Sequence, residues 1–247
     1  MSLAVASAST AAAAGWSVSG DLERFHWVED TSPQVAETGP RFGLGLHWTQ
    51  DRDAGWQFGY HGRLYFGSVD YTGSLLLSDQ PVTGTTDYGG MTHEGQAVYR
   101  IPGNFYGAEF VGGLALDYWK RQLTSFQSEE YQVVFLRLGA NFDRRSRIGW
   151  HGGAGLKLPL LVDEDGHFPD IGFQPNPHLK PKGKPSPYAE VGYRFDERWN
   201  LSAYYDSYRF AESDPVDVVQ AGSGVPFTFV QPKTSVDSFG LRLRYSF

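Results

Sequence analysis

The sequence predicts an all-β chain: a closed antiparallel up-and-down transmembrane β-barrel of about ten strands, with short turns at one end and long loops at the other. Three observations predict it. Apolar residues alternate with Gly, polar or charged residues at period two in ten segments, each close to the roughly 9–11 residues that a tilted spanning strand needs or slightly longer. The connections alternate between short and long. Large aromatics stand beside the short turns on the apolar parity, where a membrane interface would hold them, while the opposite parity carries charge.

Taken in order, residues 1–14 (Met1 to Ala14) are small and apolar and end in an Ala-rich stretch like a secretory signal with its small-residue cleavage site, yet no Lys or Arg precedes Arg24. They are expected to be a signal-peptide remnant or a disordered leader, and 15–247 a single barrel domain. The first two strands are expected over 15–27 and 40–50. The third is the clearest, with Trp56, Phe58, Tyr60, Leu64 and Phe66 on one face and Gln57, Gly59, His61, Arg63 and Gly67 on the other. Strands four to eight are expected over 90–101, 105–120, 130–142, 148–161 and 186–196. In the ninth, Trp199, Leu201, Ala203 and Tyr205 oppose Asn200, Ser202, Tyr204 and Asp206. In the tenth, Phe239, Leu241, Leu243, Tyr245 and Phe247 oppose Ser238, Gly240, Arg242, Arg244 and Ser246. Short turns fall at Asp51 to Ala54, Pro102 to Asn104, Asp143 to Arg147 and Asp196 to Arg198. Long loops fall at 28–39, 69–89, 121–129, 162–185 and 211–235.

Composition agrees with this reading. Gly 30, Phe 17, Tyr 14 and Trp 7 suit short strands, tight turns and aromatic belts. Mean hydropathy is −0.38, and no window approaches the ~18 apolar residues of a spanning helix, but a barrel strand hides that signal because only alternate residues meet lipid. The absence of cysteine excludes disulfides and thiolate chemistry, and a net charge of −7 argues against nucleic acid as a partner.

The polar parity separates a membrane barrel from a soluble one. It carries Asp21, Glu23, Arg63, Glu94, Arg100, Glu109, Asp117, Arg137, Lys157, Glu190, Arg194, Asp206, Arg242 and Arg244, charges that a dry ligand pocket could not hold and a polar lumen can. The aromatics of the other parity, Trp16, Trp48, Trp56, Tyr106, Phe142, Trp150, Phe195, Trp199, Tyr245 and Phe247, would form a girdle at the short-turn end. Barrels near eight strands are filled by side chains and open channels appear nearer sixteen, so the lumen charges are expected to interlock as a structural network. His47, His61 and His151 share the inward parity but lack metal-ligand spacing; no metal or other cofactor is implied.

The last strand, with Leu241, Leu243, Tyr245 and the terminal Phe247, resembles the C-terminal signal of bacterial outer-membrane proteins, which implies recognition by the barrel-assembly machinery, a Gram-negative outer-membrane location and periplasmic termini. Ten strands also resemble the omptins, rim proteases that use an Asp-x-His pair facing an Asp-x-Asp pair. Asp165 and His167 stand in the corresponding loop, whereas the facing loop offers only the scattered Asp70, Asp79 and Asp87. Lys180, Lys182 and Lys184, just before strand eight, could contact the phosphates of lipopolysaccharide. Phe227 and Phe229 could make the loop 211–235 a lid, or pack locally. The expected function is a porin-like but non-enzymatic barrel, structural, surface-binding or transporting a narrow solute, with a rim hydrolase and a small specific pore as rivals.

Overall fold

A computed structural model of the chain describes residues 13–51, 54–74, 80–103, 107–143 and 148–247. Tyr106, Asp79 and most of the expected leader lie outside them. Ten long strands build the wall: β1 (Ala13–Glu29), β2 (Val35–Asp51), β3 (Gly55–Ser74), β4 (Pro81–Arg100), β5 (Ala108–Gln122), β6 (Ser128–Phe142), β7 (Gly149–Asp165), β8 (Ser186–Arg194), β9 (Trp199–Ala211) and β10 (Thr234–Ser246). Each pairs antiparallel with the next, and β10 closes on β1 with Leu241 opposite Leu22 and Arg244 opposite Ser19. Closure pairs the wall's backbone groups from strand to strand, which a membrane core demands because lipid offers them no partners.

The wall wears its apolar side outward. Leu22, Leu44, Leu64, Leu114, Leu160 and Leu241 are 50–64 % exposed. A continuous band of this kind is unsustainable in water and natural against acyl chains. At the short-turn end the aromatics pair around the rim: Trp56 with Tyr99, Trp150 with Tyr193, Trp199 with Tyr245, and Tyr245 with Phe247. The chain is a transmembrane β-barrel.

The strands run further than apolar alternation predicts. β3 and β4 have 20 residues each, so most of the expected loop 69–89 is a hairpin extension, with Val69 opposite Thr86 and Gly73 opposite Val82. β1 and β2 likewise extend into the expected loop 28–39, and β5 and β6 into 121–129. Beyond the lipid band both faces of a strand can be polar, so the alternation fades while the hydrogen-bond ladder continues.

Among the described residues only 166–185 and 212–233 remain long excursions, and they fold together. Phe173–Gln174, Val216–Gln220 and Pro226–Phe229 make a separate three-stranded sheet. Its small core is Phe168, Phe173, Leu179 and Val218, with Phe168 against Phe229 at 5.1 Å and Phe173 against Phe227 at 5.3 Å. The loop aromatics pack locally, as the core of a cap over this mouth of the barrel.

Inside, glycines leave room for long side chains to lie along the wall. A Cβ at Gly43 would stand 2.7 Å from Arg63 Nε and against the Asp21 carboxylate, so the ion pair between those two residues occupies the space that a larger residue would fill.

Candidate functional site: a closed lumen beneath a capped mouth

The inward residues form layers along the barrel axis. At the short-turn end lie His47, His61, His151, Glu190, Arg242 and Arg244. Ion pairs follow. Arg63 binds Asp21 at 2.5 Å and Glu23 at 3.1 Å, Arg41 binds Glu23 at 2.6 Å, Arg137 binds Glu94 at 3.2 Å, and Lys157 binds Asp206 at 2.6 Å. Arg100 meets Glu109 at 3.6 Å, Arg194 meets Asp143 at 3.0 Å, and Arg242 meets Glu190 at 3.0 Å. Asp117 is held by hydroxyls, accepting from Tyr65 at 2.9 Å, Thr92 at 3.0 Å and Tyr208 at 2.8 Å. The lumen residues expected from the sequence thus all face inward, and all but Arg244 have partners of this kind. Burial makes each pair mutually dependent, since a buried charge stripped of its partner costs about 3–5 kcal/mol.

Above the ion pairs the lumen is apolar. Phe25, Trp27, Tyr65, Tyr88, Trp119, Tyr131, Phe135, Tyr208 and Phe210 interlock with Val69, Val133, Val162 and Val236 into one buried cluster across the bore. Trp119 stacks on Tyr131 at 5.0 Å, and Trp27 meets the same ring edge-on at 5.5 Å. The lumen cavity that remains is about 260 Å³.

Beyond this plug one cation faces four carboxylates. Arg121 binds Glu29 at 3.0 Å, Glu37 at 3.1 Å and Glu129 at 3.2 Å, and Glu164 completes the ring. Tyr88 and Thr86 donate to Glu37, and Trp27 Nε1 donates to Glu29 at 2.9 Å. This level lies above the lipid band, where the outward residues are Lys120, Gln122 and Glu130. The ring forms the floor of a cavity of about 610 Å³ whose walls include Tyr71, Phe168, Ile171, Leu179, Phe229 and Val230. Sequence reading missed Glu29, Glu37, Arg41, Arg121, Glu129 and Glu164. The signal was present for all but Glu164, since each of the others carries the inward parity of its strand; in β7 a register shift between Pro159 and Leu161 turns Val162 and Glu164 inward on the parity opposite to Lys157.

Crowding decides how the ring titrates. Burial pushes the Glu129 carboxyl up to about 7; Arg121 opposes this, while Glu29 and Glu37 add to it, and burial likewise drives Glu164 upward. A folded-state value raised above the unfolded one favours the protonated form. The resulting stability is complete below the usual carboxylate range and is lost as pH rises through about 7. Thermal unfolding followed by circular dichroism is expected to show about 1–2 kcal/mol more stability from this residue at about pH 5 than at about pH 7.5, after allowance for solvent at the mouth. Glu129→Gln is expected to shrink that difference; a pH difference as large as the parent's would refute the assignment.

At the rim, Asp165 and His167 are neighbours in one turn. Asp165 Oδ1 accepts from the His167 backbone N–H at 2.9 Å and from Asn176 Nδ2 at 2.9 Å, a loop-bracing turn. His167 Nδ1 stands 3.9 Å from that carboxylate, and its Nε2 lies 3.4 Å from Glu130. Partial burial opposes ionisation of Asp165, but the Asn176 and His167 bonds and the imidazoles of His167 and His178 outweigh it and hold the carboxyl below its usual range. Asp70 and Asp87 are exposed on β3 and β4 and face neither residue. Lys180, Lys182 and Lys184 are exposed; Lys182 meets Asp214 at 3.1 Å, and Lys184 is paired across from Arg209 of β9.

No protein-family model and no curated protein matches the chain. Among solved structures it is similar to the transport unit of the autotransporter AIDA-I from Escherichia coli, at 11% identity and a TM-score of 0.48 over 99% of this chain and 93% of that one. It is similar to the outer membrane protease OmpT from Escherichia coli at 8% identity and a TM-score of 0.39, covering 95% and 96%. An outer membrane channel from Pseudomonas putida F1 aligns at 11% identity and a TM-score of 0.41, covering 98% and 100%. The neighbours share a barrel wall and differ in what they do with it.

Proposed function

We propose that this transmembrane barrel sits in the bacterial outer membrane with its short turns and both termini in the periplasm, conducts nothing, catalyses nothing, and binds a small ligand from outside at its capped mouth. The apolar band, the aromatic girdle and the contrast between short turns and capped loops support that placement and orientation. Tyr245 and Phe247 would present the last strand to the barrel-assembly machinery, and the exposed Lys180, Lys182 and Lys184 would meet lipopolysaccharide phosphates at the outer rim.

The observation that carries the reading is the aromatic cluster that spans the bore between the ion pairs and the mouth. A solute crossing the barrel would have to break that packing, whereas one entering the 610 Å³ cavity need break nothing. The acidic floor and apolar walls suit a ligand with a cationic end and an apolar body. Planar bilayers containing the purified barrel are expected to stay silent under applied voltage. Reproducible unitary conductance from the parent chain would sink the closed-lumen reading in favour of a small pore.

A further inference from the structure

Arg244 departs from the pattern of its neighbours. Among the described residues, each other lumen guanidinium, those of Arg41, Arg63, Arg100, Arg121, Arg137, Arg194 and Arg242, lies within 4.0 Å of a carboxylate. Arg244 makes no such ion pair and no hydrogen bond, and its Nε is buried without a partner. A cation held this way inside a barrel stores unsatisfied binding capacity.

Two imidazoles lean toward its strand from opposite sides. His47 of β2 reaches back across Gly45, where a Cβ would stand 2.8 Å from its Nε2, and bonds Ser19 Oγ at 3.0 Å; Ser19 is the residue of β1 paired with Arg244. His47 is 7% exposed and its Nδ1 has no partner. In the tautomer in which Ser19 donates to Nε2, the ring proton sits on Nδ1 and is free to donate to a ligand. From the other side, His151 of β7 lies over Gly192 of β8, where a Cβ would stand 2.5 Å from its Cε1 and Nε2 and 2.8 Å from Ser202 Cβ. Ser202 is paired with Arg242, two residues from Arg244. His151 is 8% exposed, and its Nε2 also lacks a partner. Glu190 and Asp143, the carboxylates that act on this group, are already engaged by Arg242 and Arg194, each at 3.0 Å. Arg244, His47 and His151 all line the 260 Å³ cavity.

We infer that Arg244, His47 and His151 form a binding site for a small oxyanion of phosphate or sulfate type in the short-turn half of the lumen. A guanidinium presents parallel N–H donors that match two oxygens of such an anion, and the two ring nitrogens would reach the remaining ones. The plug of aromatic residues seals the site from the capped mouth, and entry is from the short-turn end, where Asn141, Asp143 and Arg194 are only half-buried. The site is separate from the cavity at the mouth, so either can exist without the other.

The test uses the folded full chain in detergent with inorganic phosphate as the probe. Phosphate, and sulfate in a second arm, is expected to raise the unfolding temperature saturably, whereas chloride at matched ionic strength does not. Arg244→Gln is expected to weaken phosphate binding at least about tenfold, the loss of one charge-assisted hydrogen-bonded contact. Lys120→Gln on the outer wall is expected to leave it unchanged. An equal response to chloride, or undiminished phosphate binding by Arg244→Gln, overturns the proposal. Should that variant not fold, the imidazole NMR signals of His47 and His151 in the parent chain decide: movement on phosphate addition supports the site, and no movement overturns it.

Discussion

Arg121→Met is expected to destabilise the barrel by about 3–5 kcal/mol, because it leaves the ionised carboxylates of the ring around a vacated centre. Among the described residues the guanidinium is the one cation within ion-pair distance of Glu29, Glu37 and Glu129, and its side chain is 2% exposed. It also lies over the Trp27 ring at 4.7 Å, so it joins the acidic ring to the plug beneath. Met keeps much of the aliphatic length and removes the charge, which separates electrostatics from packing. The loss should appear as a lower temperature for the shift from the compact, fast-migrating gel band to the unfolded one. It should shrink on acidification, when the carboxylates are protonated and no longer need a cation. A variant as heat-resistant as the parent at neutral pH would mean that Glu29 and Glu37 too take up protons once the cation is gone and that Arg121 is dispensable.

How far this ring could be read from the sequence depends on what alternation measures. Period two reports the contrast between lipid and lumen, so it located β3 and β10, where Leu64 and Leu241 face outward against Arg63 and Arg242. Glu37, Arg121 and Glu129 keep the inward parity, and Glu164 turns inward only after the register shift in β7, but these strands have left the lipid band and the outward residues beside them, such as Lys120 and Glu130, are polar too. The pattern loses contrast there although the strand does not end. Arg41 is different: it lies within the expected second strand on the parity of His47, and was legible from the start. The plug was hidden for the opposite reason. Tyr65 sits between Leu64 and Phe66, and Phe135 between Val134 and Leu136, so both faces are apolar and the alternation vanishes. An inward aromatic in such a run marks where a lumen is packed instead of hydrated. The isolation of Arg244 could not be read at all, because inward parity says that a side chain enters the lumen and not which partner crosses the bore to meet it.

The plug also sets the largest functional change expected from one substitution. Trp27 is fully buried, meets Tyr131 at 5.5 Å, supports Arg121 at 4.7 Å and donates to Glu29 at 2.9 Å. Trp27→Ala removes the indole where the lumen cavity and the mouth cavity approach each other, since Trp27 lines the first and Glu29 and Arg121 line the second. The cost is about 3–5 kcal/mol from lost burial and the space left behind. If the lumen stays closed only because this layer is packed, the variant should produce unitary conductance steps in planar bilayers where the parent is silent. Trp27→Phe should restore silence, because an aromatic ring refills most of the gap while forgoing the bond to Glu29. A folded Trp27→Ala barrel that stays silent would move the barrier down to the ion pairs, where Arg63 bridges Asp21 and Glu23 across the lower lumen. The closure would then be electrostatic, and conductance should appear in Arg63→Ala instead.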